Sequence, residues 1–161
     1  MFGFGKTRVD LQAPFAGRII PVSEVPDPVF SQGMVGDGFA VVPDDAAEVI
    51  EVCAPADGTL AKVFKTRHAF ALATADGLEV LVHIGLDTVE LKGEGFESLA
   101  ADGDLITAGQ PIMRVDAAAL RTAGVSLITP VVMTNKKQIG SLKVSTGPAA
   151  VGDTAATVTM A

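Results

Sequence analysis

Short apolar runs rich in Val, Ile, Leu and Thr follow one another along the chain, and Gly, Pro or an Asp-Gly pair interrupts them about every 8 to 12 residues. This spacing is typical of an all-β sandwich or barrel, because each run suits one strand and each interruption supplies turn residues. We therefore predict an antiparallel β-sandwich or flattened barrel, a barrel-sandwich hybrid, with helix only as short turns at 27–32 and 116–123. The predicted strands are 8–11, 17–21, 39–42, 48–53, 58–63, 69–74, 79–83, 105–107, 111–115, 127–134, 140–144 and 155–160.

Length and charge narrow the functional class. The 161 residues correspond to one domain over 1–161 with a sizeable core. The net charge of −7 argues against nucleic acid or an anionic membrane as the principal partner and favours basic partners. A single cysteine, Cys53, excludes an internal disulfide framework and fits a reducing compartment. No signal-peptide pattern opens the sequence, and no apolar run reaches the roughly 18 residues of a span, so we expect a cytoplasmic protein without membrane insertion.

Two histidines, in a chain without Trp or Tyr, are the side chains whose ordinary pKa lies nearest 7. The Asp76-Gly77 pair lies between two apolar runs and predicts a hairpin with a two-residue loop. That loop would pair Phe70 with His83 and His68 with Gly85, which places both histidines on one face of the sheet. As diagonal neighbours about 7 to 8 Å apart, two planar side chains could bring their ring nitrogens together beside the space that the glycine leaves.

The residues alone leave three roles open for this pair. A zinc site would need a third ligand, such as Asp87 or a side chain from a partner, because only two histidines exist. Alternatively, one neutral imidazole nitrogen would act as a nucleophile that accepts a phosphoryl group while the other imidazole orients that group. In the third case both histidines are hydrogen-bonded polar residues at a sheet edge.

Five segments carry a resemblance to a known family. They are VPDPVF at 25–30, MVGDG at 34–38, FKTRHAF at 64–70, GLEVLVHIGLDTVELKGEGF at 77–96 and LITPVV at 127–132. In this order they closely resemble the hallmark blocks of the IIA components of the glucose family in the bacterial phosphoenolpyruvate-dependent sugar phosphotransferase system. The likeness runs from about residue 9 to about residue 158.

The resemblance implies a phosphotransferase component that forms a phosphohistidine intermediate and requires no cofactor. His83 would accept the phosphoryl group at Nε2, His68 would support the transfer, and Thr66 would hydrogen-bond His68. The donor would be a phosphohistidine on the histidine-containing phosphocarrier protein. The acceptor would be a cysteine on a sugar-specific IIB domain of a membrane permease.

The same resemblance implies a partner-binding surface around the histidines. The carboxylates of Asp27 and Asp87 would receive a partner's arginine, which agrees with the net charge of −7. An apolar ring would exclude water and dock partners, and its members would be Val29, Phe30, Met34, Val35, Phe64, Leu81 and Val89. The sequence departs from the family at Arg67, where a small polar residue is common, and at Pro28, which stiffens the turn at Asp27.

Two further functions compete with this interpretation. The first is a regulatory protein whose phosphorylation state selects the transporters or kinases that it holds. In such a complex His68 and His83, together with a partner carboxylate, would suit an intermolecular zinc ion. The second is a biotinyl or lipoyl carrier, which an Ala-Pro-x-x-Gly pattern at 13–17 and 54–58 suggests. The chain lacks the Met-Lys-Met or Asp-Lys-Ala hairpin that such carriers modify.

Overall fold

The computed structural model describes residues 7–44 and 46–161, and within these ranges the chain is built almost entirely of antiparallel strands. Two short α-helices and three 3₁₀ turns, Val22–Glu24, Thr88–Leu91 and Lys136–Gln138, connect them. The helices are α1 (Pro28–Ser31) and α2 (Ala117–Thr122). The strands are β1 (Arg8–Gln12), β2 (Gly17–Pro21), β3 (Asp37–Pro43), β4 (Val49–Cys53), β5 (Gly58–Val63), β6 (Ala69–Thr74), β7 (Glu79–His83), β8 (Phe96–Ser98), β9 (Leu105–Ile106), β10 (Pro111–Asp116), β11 (Thr129–Met133), β12 (Ile139–Val144), β13 (Gly147–Ala149) and β14 (Thr154–Met160).

These strands form one large sheet and two small ones. The large sheet has the order β13-β2-β3-β11-β7-β6-β5-β9, and the small sheets have the orders β1-β14-β12 and β4-β10-β8. Every pairing described is antiparallel. The prediction of an all-β, antiparallel, sandwich-like fold with short helical turns is confirmed. No helix in the described ranges is both long enough and apolar enough to span a bilayer.

The large sheet is apolar on both faces. On one face Phe39, Val82 and Val131 are fully buried in the main core, which the strands of the two small sheets cover. Because side chains alternate along a strand, the residues between these point to the other face. There they form a second set that we call the outer cluster, which α1 and the segment before it cover. Its buried members are Val22, Val25, Phe30, Ala40, Leu86 and Val132, with Ile20, Val35, Leu81 and Ile128 packed against them.

The helix α1 begins where the sequence places a cap and a proline. The Asp27 side chain accepts a hydrogen bond from the Val29 backbone N–H at 3.0 Å, and Pro28 occupies the first helical position, where the lack of an N–H costs nothing. This single turn carries Phe30 down into the outer cluster. Asp27 and Pro28 therefore place α1 over the outer face of the large sheet, next to His83 at the end of β7.

The β6–β7 hairpin has a different register from the predicted one. Ala69 pairs with His83, and Phe70 pairs with Val82, so the predicted pairing of Phe70 with His83 is wrong. The loop has three residues, 75–77, because Thr74 closes it: its carbonyl accepts from the Gly77 N–H at 2.8 Å, and its Oγ1 accepts from the Leu78 N–H at 3.1 Å. Gly77 has φ +86°, the left-handed conformation that a three-residue hairpin loop requires.

Candidate functional site

The two histidine rings meet on the outer face of the large sheet, with centroids 5.0 Å apart and planes at 75°. His83 ends β7 two residues after Leu81, so both side chains lie on the face of the outer cluster. His68 immediately precedes β6, after Arg67, whose φ of +56° turns the chain. The His68 carbonyl accepts from the Ile84 N–H at 2.6 Å, so it is Ile84, and not the predicted Gly85, that lies opposite His68. The histidines are close as expected, because the bend at Arg67 frees His68 from strand alternation.

The protonation of His83 follows from its hydrogen bond. Its Nδ1 is 2.7 Å from the Gly85 carbonyl oxygen. A carbonyl oxygen only accepts, so Nδ1 carries the hydrogen, and in the neutral ring Nε2 carries the lone pair. Burial lowers the pKa of His83, and the Gly85 hydrogen bond and the charges of Asp27 and Asp87 oppose this effect only in part. His83 is therefore a neutral imidazole at pH 7 with a nucleophilic Nε2.

His68 is held by Thr66. Thr66 Oγ1 lies 2.5 Å from His68 Nδ1, the contact that the resemblance implies, and the His68 side chain is buried. Burial, followed by the charge of His83, lowers the pKa of His68. When the Thr66 hydroxyl donates to Nδ1, the hydrogen of the neutral ring lies on Nε2. His68 then offers a donor to an oxyanion beside His83.

Aromatic rings enclose both imidazoles. The Phe30 ring meets the His83 ring edge-on at 5.0 Å between centroids, and the Phe64 ring meets the His68 ring in the same way at 5.6 Å. The Lys62 ammonium lies over the Phe64 ring, 5.1 Å from its centroid. Sequence reasoning missed Lys62, because an exposed lysine at the end of a strand carries no signal. The rings supply the apolar surroundings that desolvate the histidines.

The apolar ring separates into a buried part and an exposed part. Phe30 is buried in the outer cluster, and Val35, Phe64 and Leu81 are half-buried. The exposed members are Val29 at 44%, Met34 at 69% and Val89 at 50% exposure. Large apolar side chains with this exposure are available for contact with another molecule.

The two predicted carboxylates have different local roles. Asp27 caps α1, and its charge, like that of Asp87, partly offsets the lowering of the His83 pKa by burial. Asp87 precedes the 3₁₀ turn Thr88–Leu91 with φ +58° and makes no capping hydrogen bond with its side chain. Its side chain is exposed, and its carboxylate does not accept a hydrogen bond from the backbone of the 3₁₀ turn. Asp87 is thus available to a basic group, whereas Asp27 also uses its Oδ1 to cap α1.

A comparison of sequences and structures identifies the family. Residues 9–139 match the family model for the phosphoenolpyruvate-dependent sugar phosphotransferase system, EIIA 1. The chain belongs to this EIIA family. A solved structure similar to it is that of glucose permease IIA from Mycoplasma capricolum, with 37% sequence identity and a TM-score of 0.86. The match covers 96% of this chain and 98% of that chain. As an EIIA protein the chain is a phosphotransferase component of sugar uptake, working with a phosphocarrier and a sugar-specific IIB component.

The EIIA site also depends on three residues that sequence reasoning did not single out correctly. Gly85 was expected to leave open space, but a Cβ there would lie 2.6 Å from Thr88 Cγ2 and 2.7 Å from the Ser126 carbonyl oxygen. Thr88 and Thr129 are both fully buried beside it. Thr88 lies in the 77–96 block and Thr129 in the 127–132 block that carry the resemblance, but neither block assigned a role to its threonine, and Thr129 lies on another strand.

The EIIA histidines do not form a complete metal site within the described residues. In ranges 7–44 and 46–161 no three His, Cys, Asp or Glu side chains are grouped to hold a metal ion. A zinc ion shared with a partner remains a prediction that would need a ligand from that partner.

Proposed function

We propose that His83 accepts a phosphoryl group at Nε2 from the phosphohistidine of the phosphocarrier protein and passes it to a cysteine of a sugar-specific IIB domain. The observation that carries this proposal is the hydrogen bond from His83 Nδ1 to the Gly85 carbonyl. It leaves Nε2 unprotonated beside a second imidazole, which is what a nitrogen nucleophile needs.

The proposed transfer balances without a metal, a redox partner or another cofactor. In the first step the Nε2 lone pair forms a bond to phosphorus while the bond from phosphorus to the donor's imidazole nitrogen breaks, and that electron pair returns to the donor. In the second step a thiolate of the IIB domain forms a bond to phosphorus, and the electron pair of the breaking N–P bond returns to His83 Nε2. His83 Nδ1 keeps its hydrogen throughout.

His68 has the proposed role of stabilising charge on the phosphoryl oxygens. These oxygens only accept hydrogen bonds, so a useful neighbour must offer an N–H. The Thr66 contact at 2.5 Å is compatible with a His68 ring protonated at Nε2, and the rings are close enough for this N–H to reach a group on His83. Donors fixed beforehand stabilise developing charge most effectively in a site that excludes water.

The surface around the histidines has the proposed role of docking the donor and the acceptor. The exposed side chains of Val29, Met34 and Val89 would seal the transfer site from water, as hydrophobic centres of interfaces do. Asp27 and Asp87 would receive basic side chains at the edge, and the net charge of −7 would steer a basic partner. These partners act in the cytoplasm, where we also place this protein.

Phosphoryl transfer from phosphoenolpyruvate tests the proposal. The wild-type chain, incubated with phosphoenolpyruvate, the general kinase of the relay and the phosphocarrier, should acquire an acid-labile, base-stable phosphate. Two matched variants separate the roles. His83→Gln should take up none, whereas His68→Gln should still be phosphorylated but should donate poorly to a IIB domain. A phosphate that persists in His83→Gln would refute the assignment of the acceptor.

A further inference from the structure

Two buried threonines hold the peptide unit between Ile84 and Gly85 from opposite sides. The Thr88 hydroxyl donates to the Ile84 carbonyl oxygen at 2.5 Å. The N–H of the same peptide unit, on Gly85, donates to Thr129 Oγ1 at 3.4 Å, and the Thr129 hydroxyl in turn donates to the Leu127 carbonyl at 3.0 Å. Both threonines have 0% exposure, so water does not compete for these groups.

The next peptide unit is held as well. The Leu86 N–H donates to the Ser126 carbonyl oxygen at 3.1 Å, and the other end of this unit is the Gly85 carbonyl that accepts from His83 Nδ1. The Thr88 methyl group fills the space beside the Gly85 α-carbon, so the threonine contacts this turn through both of its branches. The Gly85 carbonyl is therefore an acceptor whose position the surrounding fold determines.

We propose that Thr88 and Thr129 are positioning residues that hold the Gly85 carbonyl against His83 Nδ1 and so keep the Nε2 lone pair of His83 free. The hydrogen bonds of both threonines go to backbone groups and not to the imidazole. Each acts through the backbone turn, and Thr88 is expected to contribute more because its hydrogen bond is shorter.

The chemical consequence lies in the choice between two neutral forms of His83. A neutral imidazole has one hydrogen and two nitrogens, and the form protonated at Nε2 has no lone pair there. A fixed carbonyl at Nδ1 favours the form protonated at Nδ1. If the turn loosens, the other form gains population, and the fraction of molecules with a nucleophilic Nε2 falls.

The same turn also sets the distance between the histidines. The Ile84 N–H donates to the His68 carbonyl at 2.6 Å, so the backbone that Thr88 holds is bonded directly to the residue bearing the second ring. A hydroxyl removed from Thr88 should therefore disturb both the tautomer of His83 and its approach to His68. The kinetic part of this inference depends on the proposed function, whereas the tautomer does not.

The test uses the full-length chain with Thr88→Val and Thr129→Val, and with Thr88→Ser and Thr129→Ser as matched controls that keep the hydroxyl. ¹⁵N chemical shifts of the imidazole of His83, recorded near pH 8 without any phosphoryl donor, report which nitrogen carries the hydrogen. Wild type and the serine variants should be protonated at Nδ1. The valine variants should show a larger fraction protonated at Nε2, Thr88→Val more than Thr129→Val.

The rate of phosphoryl acceptance from the phosphocarrier gives the second measurement. The valine variants should be about two- to tenfold slower, the range that one ordinary hydrogen bond confers, and serine should restore most of the rate. An unchanged His83 tautomer in a folded valine variant would overturn the inference, whatever the rate. If Thr88→Val does not fold, the His83 tautomer in Thr129→Val, compared with that in the two serine variants, tests the inference in the same way. If wild type takes up no phosphate, the proposed function fails while the tautomer measurement still stands.

Discussion

Replacing Gly85 with alanine tests whether the turn at the site tolerates any side chain, and Gly77 provides a matched control. Both glycines have positive φ, +75° for Gly85 and +86° for Gly77. An alanine in this left-handed conformation destabilises the folded state by about 1–2 kcal/mol at either position. In both cases alanine also lowers the conformational entropy of the unfolded chain, which stabilises the folded state by roughly 0.4–1 kcal/mol. Gly77→Ala should therefore lower the free energy of unfolding by about 0–1.6 kcal/mol. No steric cost is added, because no atom lies within 4 Å of its new methyl group.

At Gly85 the new methyl group has no room. It would meet Thr88 Cγ2 at 2.6 Å and the Ser126 carbonyl oxygen at 2.7 Å, and a backbone oxygen cannot rotate away as a side chain can. Overpacking of this kind costs about 1–3 kcal/mol, so Gly85→Ala should lower the free energy of unfolding by about 1–4.6 kcal/mol in total, which is about 1–3 kcal/mol more than Gly77→Ala.

Urea denaturation of both variants measures the difference, with the free energy extrapolated linearly to zero denaturant. Phosphoryl acceptance by His83 should fall in Gly85→Ala and remain at the wild-type rate in Gly77→Ala. Equal losses of stability, within about 0.5 kcal/mol, would refute the steric reasoning and leave backbone strain as the only cost at both glycines.

Three other properties follow from the structure. Stability should fall as the pH drops below about 6.5, because the pKa values of His68 and His83 are lowered in the folded state and the unfolded state binds more protons there. The slope should not exceed about 1.4 kcal/mol per pH unit for each histidine, and His83→Gln should flatten it in urea titrations at pH 7.5 to 5.5. Arg67→Asn should stabilise the protein by about 0.5–1 kcal/mol, since asparagine tolerates φ +56° better than arginine, and an unchanged urea midpoint would contradict this. Arg121→Met should lower the urea midpoint more than Arg114→Met. The reason is that Arg121 donates to two carbonyls of the β3–β4 connection, whereas the ion pairs of Arg114 are exposed. A larger loss in Arg114→Met would contradict this account.

The sequence predicted the strands well because their apolar residues and turn signals are local. The two strands it missed have weak local signals: β13 contains Gly147 and Pro148 at the edge of the large sheet, and β8 has only three residues. Hairpin register was the harder problem. Asp-Gly favours a two-residue loop, but the Thr74 hydroxyl accepts a hydrogen bond from the Leu78 N–H and so closes a three-residue loop. One residue of slip moved Phe70 from the site face to the core face.

The residues of the site and the proximity of its two histidines could be predicted from the sequence, whereas the tautomer of His83 could not. The motif around His83 pointed to the side chain that we propose as the acceptor, but the tautomer of this histidine depends on where the Gly85 carbonyl points. That direction depends on Thr129, which is 44 residues away in sequence from the Gly85 N–H that it binds. A pattern read along the chain contains no information on such a contact, because it arises only when β11 pairs with β7.

The strand β7 links the main core to the site. Val80 and Val82 are buried in the core, and Leu81 and His83 lie on the other face, where the outer cluster packs. A slip of one residue would move both valines out of the main core and turn His83 into it, so the hydrophobic free energy of the core holds the histidine on the outer face. Two neighbouring strands, β6 and β11, pair with β7 along most of its length. The proposed acceptor, His83, therefore lies at the end of a strand that is paired on both sides, while the exposed apolar residues that we assign to docking lie on α1, on the loop after it and on the 3₁₀ turn Thr88–Leu91.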